Sequence, residues 1–143
     1  KMDGVREDFI PLKTELKFIE DYLTLHKFRI PANTNIKINN NIEYPEINYK
    51  IAPMLLIPFI ENAWKYGIST DKPGNINLHI YVEKHQLIMI IENTIFPDIT
   101  AEKGAGLGIA NVRQRLQMIY PGLHQLNIQS DENKYRINLT IVI

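Results

Sequence analysis

The most constraining feature of the sequence is a helical segment, at about residues 53–66, that is apolar around most of its circumference. At about 100° per residue, Glu61, Asn62 and Lys65 share one narrow strip of that helix, and apolar side chains fill most of the remaining surface. A buried polar group without a partner costs about 1–3 kcal/mol. The strip therefore faces either water or a polar ligand, and Gly67 is expected to end the helix.

Hydrophobic periodicity elsewhere predicts an alternation of helices and strands. Apolar residues recur at spacings of three and four from Leu12 to Ile30, which predicts an amphipathic helix with Glu15 and other charged residues mostly on its outer side. A second helical pattern follows the glycine at position 108, and strands are predicted at about residues 36–43, 76–82, 87–91, 126–130 and 135–143. The short turn between the second and third strands predicts an antiparallel hairpin. This order of elements predicts an α+β fold, a two-layer sandwich with a mixed sheet.

The composition is that of one ordinary globular domain. The 143 residues are 45% hydrophobic and 22% charged with a formal net charge of zero, so no overall positive field would recruit nucleic acid or anionic lipid. Cysteine is absent, which excludes disulfides, thiolate metal sites and cysteine nucleophiles. The 4 histidines show neither metal-ligand spacing nor a Ser/His/Asp arrangement, which argues against hydrolases of those kinds. No apolar run is long enough to span a bilayer, and the abrupt start at Lys1 leads us to expect a piece of a longer protein.

A glycine-rich run before the second helical pattern is another feature that bears on function. Gly104, Gly106 and Gly108 would let the backbone approach a phosphate closely, and a helix N-terminus offers free N–H groups. A run of this kind is also typical of a plain flexible loop. It is not the dinucleotide-binding fingerprint, because a polar loop separates it from the preceding strand.

Three more side chains stand where they could take part in binding. Arg113 and Arg115 lie in the first turns of the helix after the glycines, where arginine suits bidentate contact with phosphate. Two arginines on a helix are more often a solvated surface. Asn93 closes the third predicted strand, either as a binding amide or as the first residue of a turn.

Three blocks of the sequence, in this order, resemble LytS-type sensor histidine kinases. Residues 12–29 resemble the helix that precedes the catalytic domain of these kinases. Residues 52–67 resemble their asparagine box, and residues 104–116 together with Tyr120 resemble their second glycine box. The blocks are spread over most of the length of the chain, from residue 12 to residue 120, and the last two are too specific to be a coincidence.

The resemblance implies a fold and an activity. The fold would be the GHKL-type ATP-binding fold (also called Bergerat or HATPase), in which a mixed, mostly antiparallel sheet is covered on one face by helices. Residues 1–31 would form a linker helix from the dimerisation region, and residues 32–143 the ATP-binding catalytic domain. The activity would be that of a histidine kinase in a two-component phosphorelay, transferring the γ-phosphoryl of ATP to a histidine upstream of this sequence.

The resemblance also implies roles for individual residues. Asn62 would be the side-chain ligand of Mg²⁺, which usually takes few protein ligands, with phosphates and water completing its shell. Glu61 would polarise the incoming nucleophile, and Lys65 or Tyr66 would meet the phosphates or the ribose of ATP. The remaining residues of the implied ATP site are Asn93, Gly104, Gly106, Leu107, Gly108, Asn111 and Arg113.

The sequence departs from the family at the first glycine box. Family members usually have an Asp there, followed by a glycine, and this Asp accepts a hydrogen bond from the adenine amino group. Here Asn93 is followed by Thr94. Hydrogen bonds to charged groups contribute about 1.5–3 kcal/mol and neutral ones about 0.5–1.5, so we expect weaker adenine affinity. The departure motivates an alternative, a degenerate nucleotide-binding or dimerisation module without kinase activity, whereas the presence of Glu61 and Asn62 favours the kinase.

The partners implied by the resemblance lie outside this sequence. In the family the phosphoacceptor histidine stands next to Pro and Phe in a dimerisation segment, and none of the 4 histidines here has that context. We therefore expect the histidine in an upstream segment of the same protein. The resemblance further implies a homodimer of the full-length protein in the inner (cytoplasmic) membrane, with this part soluble on the cytoplasmic side. It also implies a response regulator as partner and no nucleic acid.

Overall fold

The computed structural model describes residues 8–96 and 107–143. Within these ranges the helices are α1 (Leu12–Lys27), α2 (Ile57–Tyr66) and α3 (Leu107–Ile119). The strands are β1 (Ile10–Pro11), β2 (Ile36–Ile42), β3 (Lys50–Ile51), β4 (Gly74–Glu83), β5 (Gln86–Thr94), β6 (His124–Ser130) and β7 (Lys134–Val142).

The main sheet has five strands in the order β2-β4-β5-β7-β6. β2 runs parallel to β4, and the other three pairs are antiparallel. Lys84 and His85 join β4 to β5 with φ angles of 52° and 61°, and two positive φ angles are what a tight two-residue hairpin turn requires. The predicted hairpin and the predicted mixed, mostly antiparallel sheet are both confirmed.

The core lies between one face of this sheet and the three helices. Alternate residues of the central strands are buried on that face, because side chains of a strand point to opposite sides in turn. The helices bury their apolar sides in the same core, so the fold has two layers. The core contributions of the helices include Leu12, Leu16, Ile19 and Leu23 of α1, Phe59, Ile60 and Ala63 of α2, and Val112 and Leu116 of α3.

The segment before α2 differs from the prediction. The helix was expected from residue 53, but it begins at Ile57. Met54 has a φ of 63°, which a right-handed helix does not allow, and Pro58 occupies the first turn. Proline lacks an N–H and is tolerated in the first turn of a helix but not in its interior, so Pro58 excludes a start as early as residue 53.

Two further features of the N-terminal third were not foreseen. Glu15 was expected on the outer side of α1, but it is buried, with 1% of its surface exposed. β1 and β3 form a ladder of two residue pairs beside α1, which is too short to leave a periodic signal in the sequence. The division of the chain into residues 1–31 and 32–143 stays a prediction, and α1 packs into the same core as the sheet.

Candidate functional site

The polar strip expected on α2 is present at the surface of the molecule. Ile57, Phe59, Ile60 and Ala63 of this helix are buried in the core. On the remaining side, the side chains of Glu61 and Lys65 are exposed and that of Asn62 is half-buried. The core therefore holds α2 rigidly while three polar groups stay available at one side of it.

The end of α2 is pressed against the end of β5. A Cβ atom on Gly67, the residue that caps α2, would lie 2.6 Å from the carbonyl oxygen of Ala63 and 2.7 Å from Cβ of Asn93. Real Cβ contacts do not come this close, so only glycine fits there. The contact brings the polar strip and Asn93 to the same end of the molecule.

The amide of Asn93 is held in place by its own strand end. Its side chain is 3% exposed, and Nδ2 donates a hydrogen bond of 2.9 Å to the carbonyl oxygen of Thr94. Oδ1 has no donor among the residues that the structure describes. This oxygen is therefore the atom with which Asn93 could accept a hydrogen bond from a ligand.

Tyr66 presents a buried polar atom without a partner. Its hydroxyl is inaccessible to solvent and finds no hydrogen bond within residues 8–96 and 107–143. The ammonium group of Lys65 lies 5.7 Å from the centre of the Tyr66 ring. Buried polar groups are nearly always paired, and an exception calls for an explanation such as a missing ligand.

The first turn of α3 lies beside the first turn of α2. A Cβ atom on Gly108 would be 3.9 Å from Cβ of Pro58, which is ordinary contact, and the position is otherwise open and exposed. Leu107 is the first residue of α3, and its backbone N-terminus is where the predicted phosphate contact would form. Gly104 and Gly106 lie outside the described residues.

Arg113 of α3 acts electrostatically on Tyr135, at the end of the sheet that carries Asn93. Burial raises the pKa of Tyr135, and the positive charge of Arg113 opposes that rise. Tyr135 stands directly opposite Asn93 in the β5–β7 ladder. Arg113 thus contributes positive potential near this end of the sheet, and Asn111, also on α3, is exposed.

The second half of α1 contacts α2 through aromatic side chains. Burial and then the carboxylate of Glu61 raise the pKa of Tyr22. The Tyr22 ring stacks on His26 with centroids 4.1 Å apart, and His26 meets the ring of Trp64 at 6.4 Å. The sequence did not predict this aromatic contact between α1 and α2.

Glu15 was also missed as a residue of interest. Its Oε1 accepts a hydrogen bond of 3.1 Å from the N–H of Met54, in the segment that leads into α2. Burial raises the pKa of the Glu15 carboxyl, while the backbone N–H groups of Met54 and Leu56 and the charge of Arg115 act in the opposite direction. A signal existed in the sequence, since Glu15 follows Leu12 by three residues and so lies at the edge of the apolar stripe.

Taken together, the predicted residues that the structure describes lie on three elements that meet. α2 carries Glu61, Asn62, Lys65 and Tyr66, β5 ends at Asn93 and Thr94, and α3 begins beside α2. Within the described ranges, no group of three or more His, Asp or Glu side chains could hold a metal ion. The arrangement suits a polar ligand that brings its own anionic oxygen atoms.

The sequence is similar to that of the sensor histidine kinase/phosphatase LytS of Staphylococcus aureus. The two are 27% identical over 143 aligned residues, which cover 90% of this chain and 24% of LytS. No model of a known protein family matches the chain.

Solved structures of histidine kinases share the fold. The catalytic domain of the histidine kinase ThkA has a TM-score of 0.70 at 15% identity, covering 94% of this chain and 95% of that domain. Full-length ShkA, solved in complex with AMPPNP, has a TM-score of 0.63 at 16% identity, covering 96% of this chain and 31% of ShkA. The chain has the fold of histidine kinase catalytic domains, and its resemblance to LytS-type sensor histidine kinases is confirmed.

The match to LytS concerns one part of that protein, since this chain spans 24% of its length. None of the helices that the structure describes is long and apolar enough to cross a membrane.

Proposed function

We propose that this chain is the ATP-binding catalytic domain of a sensor histidine kinase. The observation that carries the proposal is the placement of two elements along α2 in a histidine kinase fold: the Asn93 end of β5 contacts the C-terminal end of α2, and the first turn of α3 lies beside its first turn. ATP is a polar ligand with the adenine, ribose and phosphate groups that such a set of side chains would recognise.

The adenine end of ATP would lie at Asn93. Oδ1 of Asn93 would accept a hydrogen bond from the adenine amino group, because Nδ2 is already engaged with Thr94. The buried hydroxyl of Tyr66, which has no partner among the described residues, would gain one from the nucleotide or from an ordered water if binding turned the side chain toward the site. Both groups fit a polar ligand better than they fit a closed protein core.

The phosphate end would lie between α2 and α3. The N-terminus of α3 would bind phosphate through free N–H groups, and Lys65 and Arg113 would add positive charge. We also assign Gly104, Gly106 and Gly108 to this side. Gly108 is exposed with open space around it, which agrees with a backbone that a ligand approaches.

Asn62 and Glu61 would serve the reacting end. A half-buried amide oxygen is a suitable single protein ligand for Mg²⁺, which otherwise prefers phosphate oxygens and water. When bound, Mg²⁺ neutralises negative charge on the phosphate oxygens. The Glu61 carboxylate is exposed, so it could accept a proton from a nucleophile that arrives from outside this chain.

The phosphoryl acceptor would be a histidine in an upstream segment of the same protein. LytS, which is about four times as long as the matched region, is a sensor histidine kinase/phosphatase. On that resemblance we propose that this chain belongs to a membrane-associated homodimer that passes the phosphoryl group to a response regulator. Transfer would depend on positioning and on charge neutralisation of the phosphates.

Isothermal titration calorimetry tests the proposal on this chain. We expect ATP to bind more tightly with Mg²⁺ than without it, and we expect Asn62→Ala to remove that difference. Asn127→Ala, which changes an exposed asparagine on β6, is the matched control and should keep it. Equal affinity with and without Mg²⁺ in the unmodified chain would show that the Asn62 assignment is wrong.

The neutral Asn93 favours a second candidate, a nucleotide-binding or dimerisation module without kinase activity. The two functions differ in the longer protein that includes the upstream segment. Labelling with γ-³²P-ATP followed by an acid-lability test reports phosphohistidine directly. ATP-dependent histidine labelling eliminates the module, and its absence in a protein that binds Mg-ATP favours the module.

A further inference from the structure

Glu15 is the one acidic side chain that is buried in the part of the chain the structure describes. Its Oε1 accepts from the N–H of Met54, and its Oε2 has no partner among the described residues. Carboxyl groups are almost never fully buried without a reason, because the loss of hydration opposes burial. No step of ATP binding described above uses this group.

The residue that donates the hydrogen bond to Glu15, Met54, has a strained backbone conformation. Met54 has a φ of 63°, a left-handed conformation that favours glycine and is unfavourable for a residue with a long side chain. Met54 is 46% exposed, so packing of its side chain contributes little to holding the conformation. The hydrogen bond from the Met54 N–H to Glu15 is one of the contacts that hold this segment.

The loop around Met54 is hydrogen-bonded to α1 on one side and to the residue that follows α3 on the other. On one side Glu15 of α1 bonds the N–H of Met54, and on the other the N–H of Ala52 donates a 3.1 Å hydrogen bond to the hydroxyl of Tyr120, which follows α3. Leu55 and Leu56, which come next, are completely buried. These contacts fix where α2 begins, and α2 begins only four residues before Glu61.

We propose that Glu15 is a positioning residue for the nucleotide site. By holding Met54 in its left-handed conformation, the carboxyl sets the start of α2 and hence the placement of Glu61 and Asn62. Glu15 also links α1 to the site. A displacement of α1 would remove the hydrogen-bond acceptor of the Met54 N–H and loosen the first turn of α2. The effect on nucleotide rests on the function proposed above, whereas the effect on α2 does not.

The first test compares Glu15→Ala with Leu23→Ala. Leu23 is a buried core residue further along the same helix, and its aliphatic side chain offers no hydrogen bond to Met54, so its truncation destabilises the fold without removing that hydrogen bond. We expect Glu15→Ala to weaken Mg-ATP binding about tenfold, measured by calorimetry at a temperature where both variants are folded, and Leu23→Ala to weaken it less than about twofold. A purely structural role for Glu15 would make the two losses alike.

The second measurement does not depend on the nucleotide. Amide hydrogen exchange in residues 54–62 should be faster in Glu15→Ala than in the unmodified chain, while Leu23→Ala should raise exchange mainly within α1. Unchanged exchange in residues 54–62 overturns the proposal whether or not ATP binds. Faster exchange with unchanged Mg-ATP affinity would show that Glu15 does not act on the nucleotide site. Failure of the unmodified chain to bind Mg-ATP would refute both the proposed function and the effect of Glu15 on that site.

Two rescue variants identify what Glu15 supplies. Glu15→Gln keeps a carbonyl oxygen at the same position, so it should retain affinity within about threefold if acceptance from Met54 is what matters. Met54→Gly removes the strain, so adding it to Glu15→Ala should restore part of the lost affinity. If neither variant recovers affinity, the carboxyl acts by a route other than the Met54 conformation and the proposal is wrong.

Discussion

Gly67 at the end of α2 and Asn93 at the end of β5 are in such close contact that a hydrogen atom fits between them but a methyl group does not. A Cβ on Gly67 would lie 2.7 Å from Cβ of Asn93. We predict that Gly67→Ala destabilises the fold by about 1–3 kcal/mol, because overpacking forces backbone shifts. Urea denaturation measures the change.

Gly108→Ala provides the matched comparison for that prediction. The nearest atom to a Cβ at Gly108 is 3.9 Å away, so its stability should change far less. Equal destabilisation by the two alanines would contradict the contact between Gly67 and Asn93.

Asn93→Asp should bind ATP more tightly but fold less stably at neutral pH. A charged acceptor is worth about 1 kcal/mol more than a neutral one, or about a fivefold gain in affinity for the adenine amino group. The new oxygen would face the carbonyl oxygen of Thr94 in a site that is 3% exposed, where Nδ2 now donates. Calorimetry and thermal unfolding measure the two effects, with Asn127→Asp as the exposed control. Unaltered or weaker ATP affinity would count against Asn93 as the adenine ligand.

Tyr66→Phe separates a structural from a ligand-binding role of the buried hydroxyl. This hydroxyl has no partner among the described residues, so its removal should leave the unfolding free energy unchanged or slightly higher. If the nucleotide supplies the partner, Mg-ATP affinity should fall about three- to tenfold at the same time. A loss of stability without a loss of affinity would mean that the hydroxyl is satisfied within the protein.

The stability of the chain should depend on pH through Glu15. Burial raises the pKa of its carboxyl above the ordinary value of 4.5, so the folded state binds this proton more tightly than the unfolded state does. Relative to Glu15→Gln, the unmodified chain should therefore be most stable below pH 4.5 and should lose that advantage as pH rises through the raised folded-state pKa. The difference in unfolding free energy between the two proteins, measured with urea from about pH 4 to 8, isolates Glu15 from the other titrating groups. Arg115 is the cation that acts on the Glu15 carboxyl. A difference that grows with pH would mean that the carboxylate, rather than the acid, is favoured in the fold.

Much of the fold was predictable because long periodic segments dominate it. The alternation in β4, β5 and β7 and the apolar stripe of α1 each repeat often enough to identify an element and its buried face. The parallel pairing of β2 with β4 was not predicted, since nothing in β2 itself specifies its neighbour. Only the resemblance to sensor histidine kinases predicted ATP as the ligand, because a polar strip of three residues does not identify what it binds.

The misses share a physical origin. Glu15 and Met54 depend on a single hydrogen bond between residues 39 positions apart, and a periodic pattern carries no record of such a bond. The close approach of Gly67 to Asn93 is equally non-local. The sequence did hold a signal for the later start of α2, because Pro58 favours a position in the first turn, and a weaker one for Glu15, which lies at the edge of the apolar stripe of α1.

The pairing order of the sheet has a consequence for the rate at which the protein folds and unfolds. β4–β5 and β6–β7 are local hairpins, whereas the β2–β4 and β5–β7 pairings close long stretches of chain, and these stretches contain α2 and α3. Long closures are entropically costly and slow. If the hairpins form the folding nucleus, the two helices that carry the nucleotide site join it late, and substitutions there would chiefly accelerate unfolding. Bound ATP would then prolong the lifetime of the native state while leaving the refolding rate nearly unchanged.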